Sequence, residues 1–120
     1  MIYLIDCENV GESGLVGIDQ LPKADEAVLF FGKMQTSLSM ETHNMLMRAK
    51  CKITSIQMSQ TGRNYLDMQL AAHMGYMMKE KPKAEFTIVS KDKGFDSIVD
   101  YALVRNRAAQ RVEALVESTW

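Results

Sequence analysis

The sequence predicts an α/β protein, a three-layer fold with a central, mostly parallel sheet of four to five strands. Four short apolar runs are typical of buried parallel strands, which are apolar along their length rather than alternating. Segments with helical periodicity separate these runs, so strands and helices alternate along the chain. This alternation indicates βαβ units with right-handed crossovers and helices on both faces of the sheet.

The strands are predicted where β-branched and aromatic residues cluster, at residues 2–5, 27–31, 53–56 and 86–89. Gly32 ends the second of them. The last part of the chain has two interpretations, because residues 104–117 could extend the third helix or turn near Asn106 into a fifth strand at residues 111–116. We favour the fifth strand.

Three helices are predicted from apolar residues spaced three and four positions apart. They cover residues 40–50, with Ser37 or Ser39 as a cap, residues 64–79, and a segment that begins near Phe95. The sequence Lys79-Glu80-Lys81-Pro82 ends the second helix. The glycine-rich segment 11–22 predicts only a short helix around residues 15–20.

Length and composition limit the classes of protein that the chain can belong to. The 120 residues predict one domain over residues 1–120, with 47% hydrophobic and 24% charged residues, as in ordinary globular proteins. Neither a membrane span nor a secretory leader is visible, so we expect a cytoplasmic protein with no membrane partner. Cys7 and Cys51 are too few for a disulfide framework and are expected to pack as thiols. A net charge of −1 implies that any nucleic acid is bound locally.

Acidic residues at strand ends give the clearest functional signal. Asp6 follows the first strand and Asp92 follows the fourth, at the edge of an open α/β sheet where ligands bind. Two carboxylates about 4 Å apart repel by roughly 4 kcal/mol at an effective dielectric constant near 20. Asp67 would add to this repulsion, which a divalent cation relieves. Oxygen ligands favour Mg²⁺ or Mn²⁺ over zinc.

Each acidic residue also has a structural interpretation that remains open. Asp67 stands three residues after Asn64, so this pair could form an N-cap followed by an acidic residue in the first helical turn. Asp92 could cap the next helix, and Asp96 and Glu8 could simply lie in or near first turns. Asp6 fits this interpretation least, because it follows four apolar residues.

Three motifs in order resemble those of the PIN-like nucleases, including their NYN branch. Asp6-Cys7-Glu8-Asn9 is similar to the opening Asp-x-x-Asn signature, and residues 62–72 resemble the middle motif, in which a helix starts with an acidic residue. Ser90-Lys91-Asp92-Lys93-Gly94-Phe95-Asp96 resembles the third motif, usually Ser-x-Asp-x-Asp-Phe. The third motif departs from that form, because Gly94 stands in place of the second acidic residue and Asp96 comes two positions later. The usual glycine turn before the last strand is also missing around residues 105–110.

The resemblance implies a Rossmann-like fold of the PIN type and a metal-dependent ribonuclease that uses Mg²⁺ or Mn²⁺. In this interpretation Asp6, Asp67 and Asp92 hold the cation. Asp96 could be a fourth ligand, as a substitute for the acidic residue missing at Gly94. Asn9 would orient Asp6 or a metal-bound water. Phosphate contacts would come from Ser90, Arg63, Lys91 and Lys93.

The partners implied are single-stranded or structured RNA and a second copy of the chain, since the family often pairs and ten methionines suit an interface. One alternative is a catalytically degenerate PIN-like domain that acts as an RNA-binding or protein-interaction module. A receiver-like or phosphatase-like domain fits less well, because phosphatases of that kind usually need an aspartate where this chain has Glu8.

Overall fold

The computed structural model describes residues 1–117 and contains a five-stranded sheet in which every pairing is parallel. The strands are β1 (Ile2–Asp6), β2 (Glu26–Phe31), β3 (Lys52–Gln57), β4 (Phe86–Val89) and β5 (Ala109–Val112), in the spatial order β3-β2-β1-β4-β5. The predicted α/β class and the four main strands are confirmed. So is the fifth strand, although its predicted bounds are wrong.

The fifth strand stops where its partner stops. Val112 is the last residue of β5 and its carbonyl accepts the Ser90 amide at 2.9 Å, just beyond the end of β4. Residues 115–117 then form a 3₁₀ turn, which buries Leu115 in the core instead of continuing the ladder. The turn predicted near Asn106 is present, with φ of 59° at that residue. Asparagine tolerates this left-handed conformation and so replaces the expected glycine.

Four α-helices connect the strands: α1 (Cys7–Val10), α2 (Met40–Arg48), α3 (Tyr65–Glu80) and α4 (Asp96–Val104). Ser39 caps α2 by accepting the Thr42 amide at 3.1 Å, as one of the two predicted caps. The short helix predicted around residues 15–20 is instead a pair of 3₁₀ turns, Glu12–Leu15 and Ile18–Gln20. A third 3₁₀ turn, Lys93–Phe95, leads into α4.

Two cores lie on opposite faces of the sheet, which makes the predicted three layers. One face packs under α3 and α4, where Leu70 and Met74 are fully buried against Leu4, Phe30 and Ile88. The other face packs under α1, α2 and the 3₁₀ turns, and it includes both cysteines as buried free thiols. Complete burial of a leucine-sized side chain stabilises the fold by about 1.5–3 kcal/mol, so β1, buried along its whole length, anchors both layers.

The methionines divide between core and surface. Met58, Met74 and Met77 are buried, whereas Met40, Met47 and Met68 are more than 70% exposed. These three exposed methionines lie on α2 and α3, and self-association through the methionines stays a prediction. No helix within residues 1–117 has the length and apolar character needed to cross a bilayer.

Strand order defines where a ligand site is expected. From β1 the chain moves to β2 and β3 on one side, and it returns to β4 and β5 on the other. The carboxyl ends of β1 and β4 therefore flank the point where the winding direction reverses, which is where open α/β sheets bind ligands.

Candidate functional site

Asp6 lies at this reversal point, at the carboxyl end of β1. Its side chain is only 3% exposed, and it accepts the Asn9 amide at 3.2 Å and the Ser90 hydroxyl at 3.1 Å. Burial raises the pKa of Asp6, as do the charges of Glu8 and Asp92, while the two hydrogen bonds act in the opposite direction. The carboxylate is thus held in one orientation, in surroundings that disfavour its charge.

Ser90 and Asn9 join the loops after β1 and β4. The Ser90 side chain is fully buried, and its hydroxyl also accepts the Asp92 amide at 3.1 Å. The Asn9 carboxamide oxygen accepts the Lys91 amide at 2.8 Å. Because the Ser90 hydroxyl and amide both bond within the protein, Ser90 holds Asp6 and Asp92 in place instead of presenting these groups to solvent.

Asp92 begins the 3₁₀ turn before α4. Its Oδ1 accepts the Gly94 amide at 2.8 Å, so the capping role predicted for Asp92 is present. A Cβ atom on Gly94 would lie 3.0 Å from the same oxygen. Gly94 therefore lets the backbone approach the carboxylate closely, and a larger residue there would have to displace it.

Asp67 faces these carboxylates from the first turn of α3. Asn64 precedes the helix in a left-handed conformation, with φ of 61°, and makes no side-chain capping bond, so the predicted Asn64 cap is wrong. Partial burial, a side-chain hydrogen bond with Asp92 and the charges of Asp6, Asp92 and Glu8 together raise the pKa of Asp67 to about 6. Carboxylates from three separate segments thus act on one another.

Glu8 belongs to this group, although the sequence predicted for it only a place in or near a first helical turn. Its carboxylate extends over Gly32, at the end of β2, where a Cβ atom would overlap it. The position of Glu8, two residues after Asp6, was the available signal. The direction of the Glu8 side chain depends on Gly32, which has no side chain to occupy the same space. Only the tertiary structure brings these two residues together.

Asp96 has a different partner. Arg111, from β5, donates from Nε to one Asp96 oxygen at 2.7 Å and from Nη2 to the other at 3.4 Å. This guanidinium lowers the pKa of Asp96, in contrast to the raised pKa of Asp67. The structure therefore brings Asp6, Asp67 and Asp92 together and directs Asp96 elsewhere. Arg111 was not singled out from the sequence, because its pairing depends on the register of β5.

The predicted phosphate-binding residues lie around this site. Lys91 and Lys93 flank Asp92 in the loop after β4, Arg63 directly precedes Asn64 and α3, and all three are exposed. Lys93 is close enough to Asp96 to lower its pKa. The arrangement is an acidic centre with basic residues on the adjoining loops.

The centre contains carboxylates that can bind a metal ion, but the described residues do not form a complete set of ligands. Within residues 1–117, no group of three or more Asp, Glu, His or Cys side chains is arranged so that it could hold a metal ion. Burial raises the pKa of the neighbouring Cys7 thiol to about 12, so it stays protonated and is neither a nucleophile nor a soft ligand at neutral pH. The donors of the centre are therefore oxygen atoms.

Comparison with known families decides what kind of protein carries this centre. The PIN domain family model matches residues 1–112, which include all five strands and every acidic residue described above. The chain belongs to the PIN domain family. PIN domains are a nuclease-type family that typically uses divalent metal ions. Neither curated proteins nor solved structures gave a match to this PIN domain.

Proposed function

We propose that this PIN domain is a metal-dependent ribonuclease, an endonuclease that hydrolyses RNA phosphodiester bonds with Mg²⁺ or Mn²⁺. One observation carries the proposal: burial, together with the neighbouring carboxylates of Asp92, Asp6 and Glu8, raises the pKa of Asp67 to about 6. A protein with no use for this charge would be more stable without it. Unfavourable carboxylate pairs at the ligand-binding edge of a sheet are typical of functional sites.

The donor chemistry supports a hard divalent cation. Asp6, Asp67 and Asp92 are the proposed ligands, and oxygen-only sites favour Mg²⁺ or Mn²⁺. The hydrogen bond between Asp67 and Asp92 requires a proton, so cation binding has to displace that proton. Cation affinity and cleavage are therefore expected to rise with pH through about pH 6.

The surrounding residues have roles that follow from their contacts. Ser90 and Asn9 fix Asp6 and the loop after β4, so we assign both to positioning. A bound cation would polarise the scissile phosphodiester and lower the pKa of a coordinated water. Asp96 is left out of the ligand set, because its carboxylate pairs with Arg111.

Arg63, Lys91 and Lys93 are proposed to contact phosphates on either side of the cleaved bond. Their charges are exposed and lie on the loops that border the acidic centre. Such contacts contribute affinity without sequence preference and weaken as salt increases.

The decisive assay is cleavage of labelled single-stranded and hairpin RNA in Mg²⁺, Mn²⁺ or chelator. Metal-dependent cleavage is expected in the wild-type protein and should be lost in Asp6→Asn and Asp92→Asn. Asp100→Asn is the matched control, because Asp100 is exposed on α4 and removal of its charge should leave cleavage unchanged. RNA binding without cleavage in every metal, or cleavage that survives Asp6→Asn, would contradict the proposal.

A second candidate is a PIN domain with a degenerate centre that binds RNA or another protein. The incomplete ligand set within residues 1–117 and the glycine at position 94 favour it. Calorimetric titration with Mn²⁺ separates the two functions. The nuclease requires cation binding that Asp67→Asn and Asp92→Asn weaken, whereas the degenerate module predicts none.

A further inference from the structure

A cavity of about 280 Å³ opens between α3 and α4, directly beside the carboxylates of Asp67 and Asp92. Those two side chains form one of its walls. The rest of the lining is mainly apolar and includes Met68 and Ala71 from α3, Phe95 from the 3₁₀ turn before α4, and Ile98 from α4. Its volume is close to the lower limit of about 300 Å³ for small-molecule pockets, so it suits one small planar group better than an extended chain.

The lining favours an uncharged group that carries N–H donors. A phosphate placed here would face two carboxylates and would be repelled. An aromatic ring would be accepted by the apolar wall, and the carboxylate oxygens would accept hydrogen bonds from its edge. An unstacked nucleobase has both properties, and proteins read single-stranded RNA by such bases.

Asn64 adds a polar group to this cavity. Asn64 is one of the lining residues, and its side chain makes no capping hydrogen bond at the start of α3. The left-handed backbone alone is enough to explain an asparagine at this position, because asparagine tolerates a φ of 61°. Its side chain is also exposed, so its carboxamide can donate and accept hydrogen bonds beside a cavity of base size. Asparagine pairs with bases in this way through both its oxygen and its nitrogen.

We propose that this cavity is a nucleobase subsite, in which the base next to the scissile phosphate lies against Met68 and Ile98 and is read by Asn64. The inference rests on the proposed ribonuclease function and adds a specificity determinant to it. Because Asp67, Asp92 and the Asn64 carbonyl oxygen supply acceptors, the subsite should prefer bases with an exocyclic amino group over uracil. The preference should be roughly two- to tenfold, as expected for about one neutral hydrogen bond.

Binding can be tested without catalysis. Methyl resonances of the metal-free protein are followed while adenosine, cytidine, guanosine or uridine is added to its solubility limit. The Met68, Ala71 and Ile98 methyls should shift, with the smallest changes for uridine. Met47 is the matched control, because it is 74% exposed on α2 whereas Met68 is 71% exposed on α3. Shifts that are equal at Met47 and Met68, or absent with all four nucleosides, would overturn the subsite.

Base preference is tested by mapping cleavage positions in RNAs that vary the nucleotides flanking each cut. Asn64→Gly keeps the left-handed backbone but removes the carboxamide, and it should flatten the preference while cleavage continues. Asn106→Gly is the control, since Asn106 has φ of 59° but lies in the turn before β5, outside the lining. A preference that Asn64→Gly leaves intact would refute the reading role of Asn64. If no RNA is cleaved at all, the proposed function fails, and the nucleoside titration still decides the subsite.

Discussion

Replacing Asp67 by asparagine should stabilise the fold at alkaline pH while it abolishes cleavage. A pKa raised from 3.8 to about 6 means that the surroundings disfavour the ionised carboxyl by about 3 kcal/mol, at 1.36 kcal/mol per pH unit. Asp67 is only partly buried, and solvent screening reduces this to about 1–1.5 kcal/mol. Loss of a negative charge from the first turn of α3 takes away about 0.3–1 kcal/mol. The net expectation at pH 8 is a gain of up to about 1 kcal/mol.

The sign of the pH dependence follows from the raised pKa. Folded wild-type protein takes up a proton as pH falls through about 6, before the unfolded chain does, so its stability rises towards pH 4. Asp67→Asn has no such group, and its advantage should vanish over the same range. At roughly 4 °C per kcal/mol for a chain of this size, the melting temperature should rise by up to about 4 °C at pH 8 and by almost nothing at pH 4.5.

Thermal unfolding followed by far-ultraviolet circular dichroism at both pH values measures this difference. Asp96→Asn is the control with the opposite sign. The Arg111 guanidinium lowers the pKa of Asp96, so removal of that charge should reduce stability at neutral pH, and this loss should shrink as pH falls below the ordinary range of the carboxyl. If Asp67→Asn is less stable than wild type by the same amount at pH 8 and pH 4.5, Asp67 is only an acidic residue at a helix start. The carboxylates of the centre would then not disfavour one another's charge, and the proposed site would be contradicted.

Three further substitutions test contacts that stabilise the fold and hold the acidic centre in place. Ser90→Ala should cost about 1–3 kcal/mol, because it leaves the buried Asp6 oxygen and the Asp92 amide without a partner; urea unfolding measures this, and the acidic limb of the cleavage profile should move to higher pH. Leu70→Ala should cost about 2–5 kcal/mol in the same unfolding assay, since Leu70 is fully buried under α3. Arg107→Lys should lower stability by about 1–3 kcal/mol, because the guanidinium donates to three carbonyl oxygens around the end of α3 and an ammonium group cannot reach all of them; amide exchange in residues 78–84 should accelerate.

The three central strands were predictable because they are buried on both faces of the sheet. β1, β2 and β4 are apolar along almost their whole length, which distinguishes them from surface segments without any tertiary information. β5 lies at the edge and pairs only with β4, so its sequence, Ala-Gln-Arg-Val, carries little apolar signal. The apolar residues after it misled the boundary prediction. Leu115 is buried in the second core rather than in the ladder.

The centre was predictable where the backbone alone positions a side chain. Asp6 and Asp92 follow neighbouring strands, and strand order brings them together whatever their rotamers. The directions of Glu8 and Asp96 depend on distant residues, Gly32 and Arg111, that no local pattern connects to them. The sequence therefore predicted where Asp6, Asp67 and Asp92 come together. It did not predict that Glu8, and not Asp96, lies beside them.

Gly94 bears most directly on whether the centre is degenerate. The resemblance places an acidic residue there, yet in this chain the Gly94 amide donates to Asp92 Oδ1, and a Cβ would lie 3.0 Å from that oxygen. An acidic side chain at this position would therefore require the Asp92 carboxylate to shift by a few tenths of an ångström. With glycine at position 94 the centre lacks one acidic side chain, but the Asp92 carboxylate stays bonded to the Gly94 amide. Glu8, just after β1, adds negative charge to the centre. On this argument, the glycine is compatible with a working site that has a different distribution of acids, and its presence alone does not indicate lost activity.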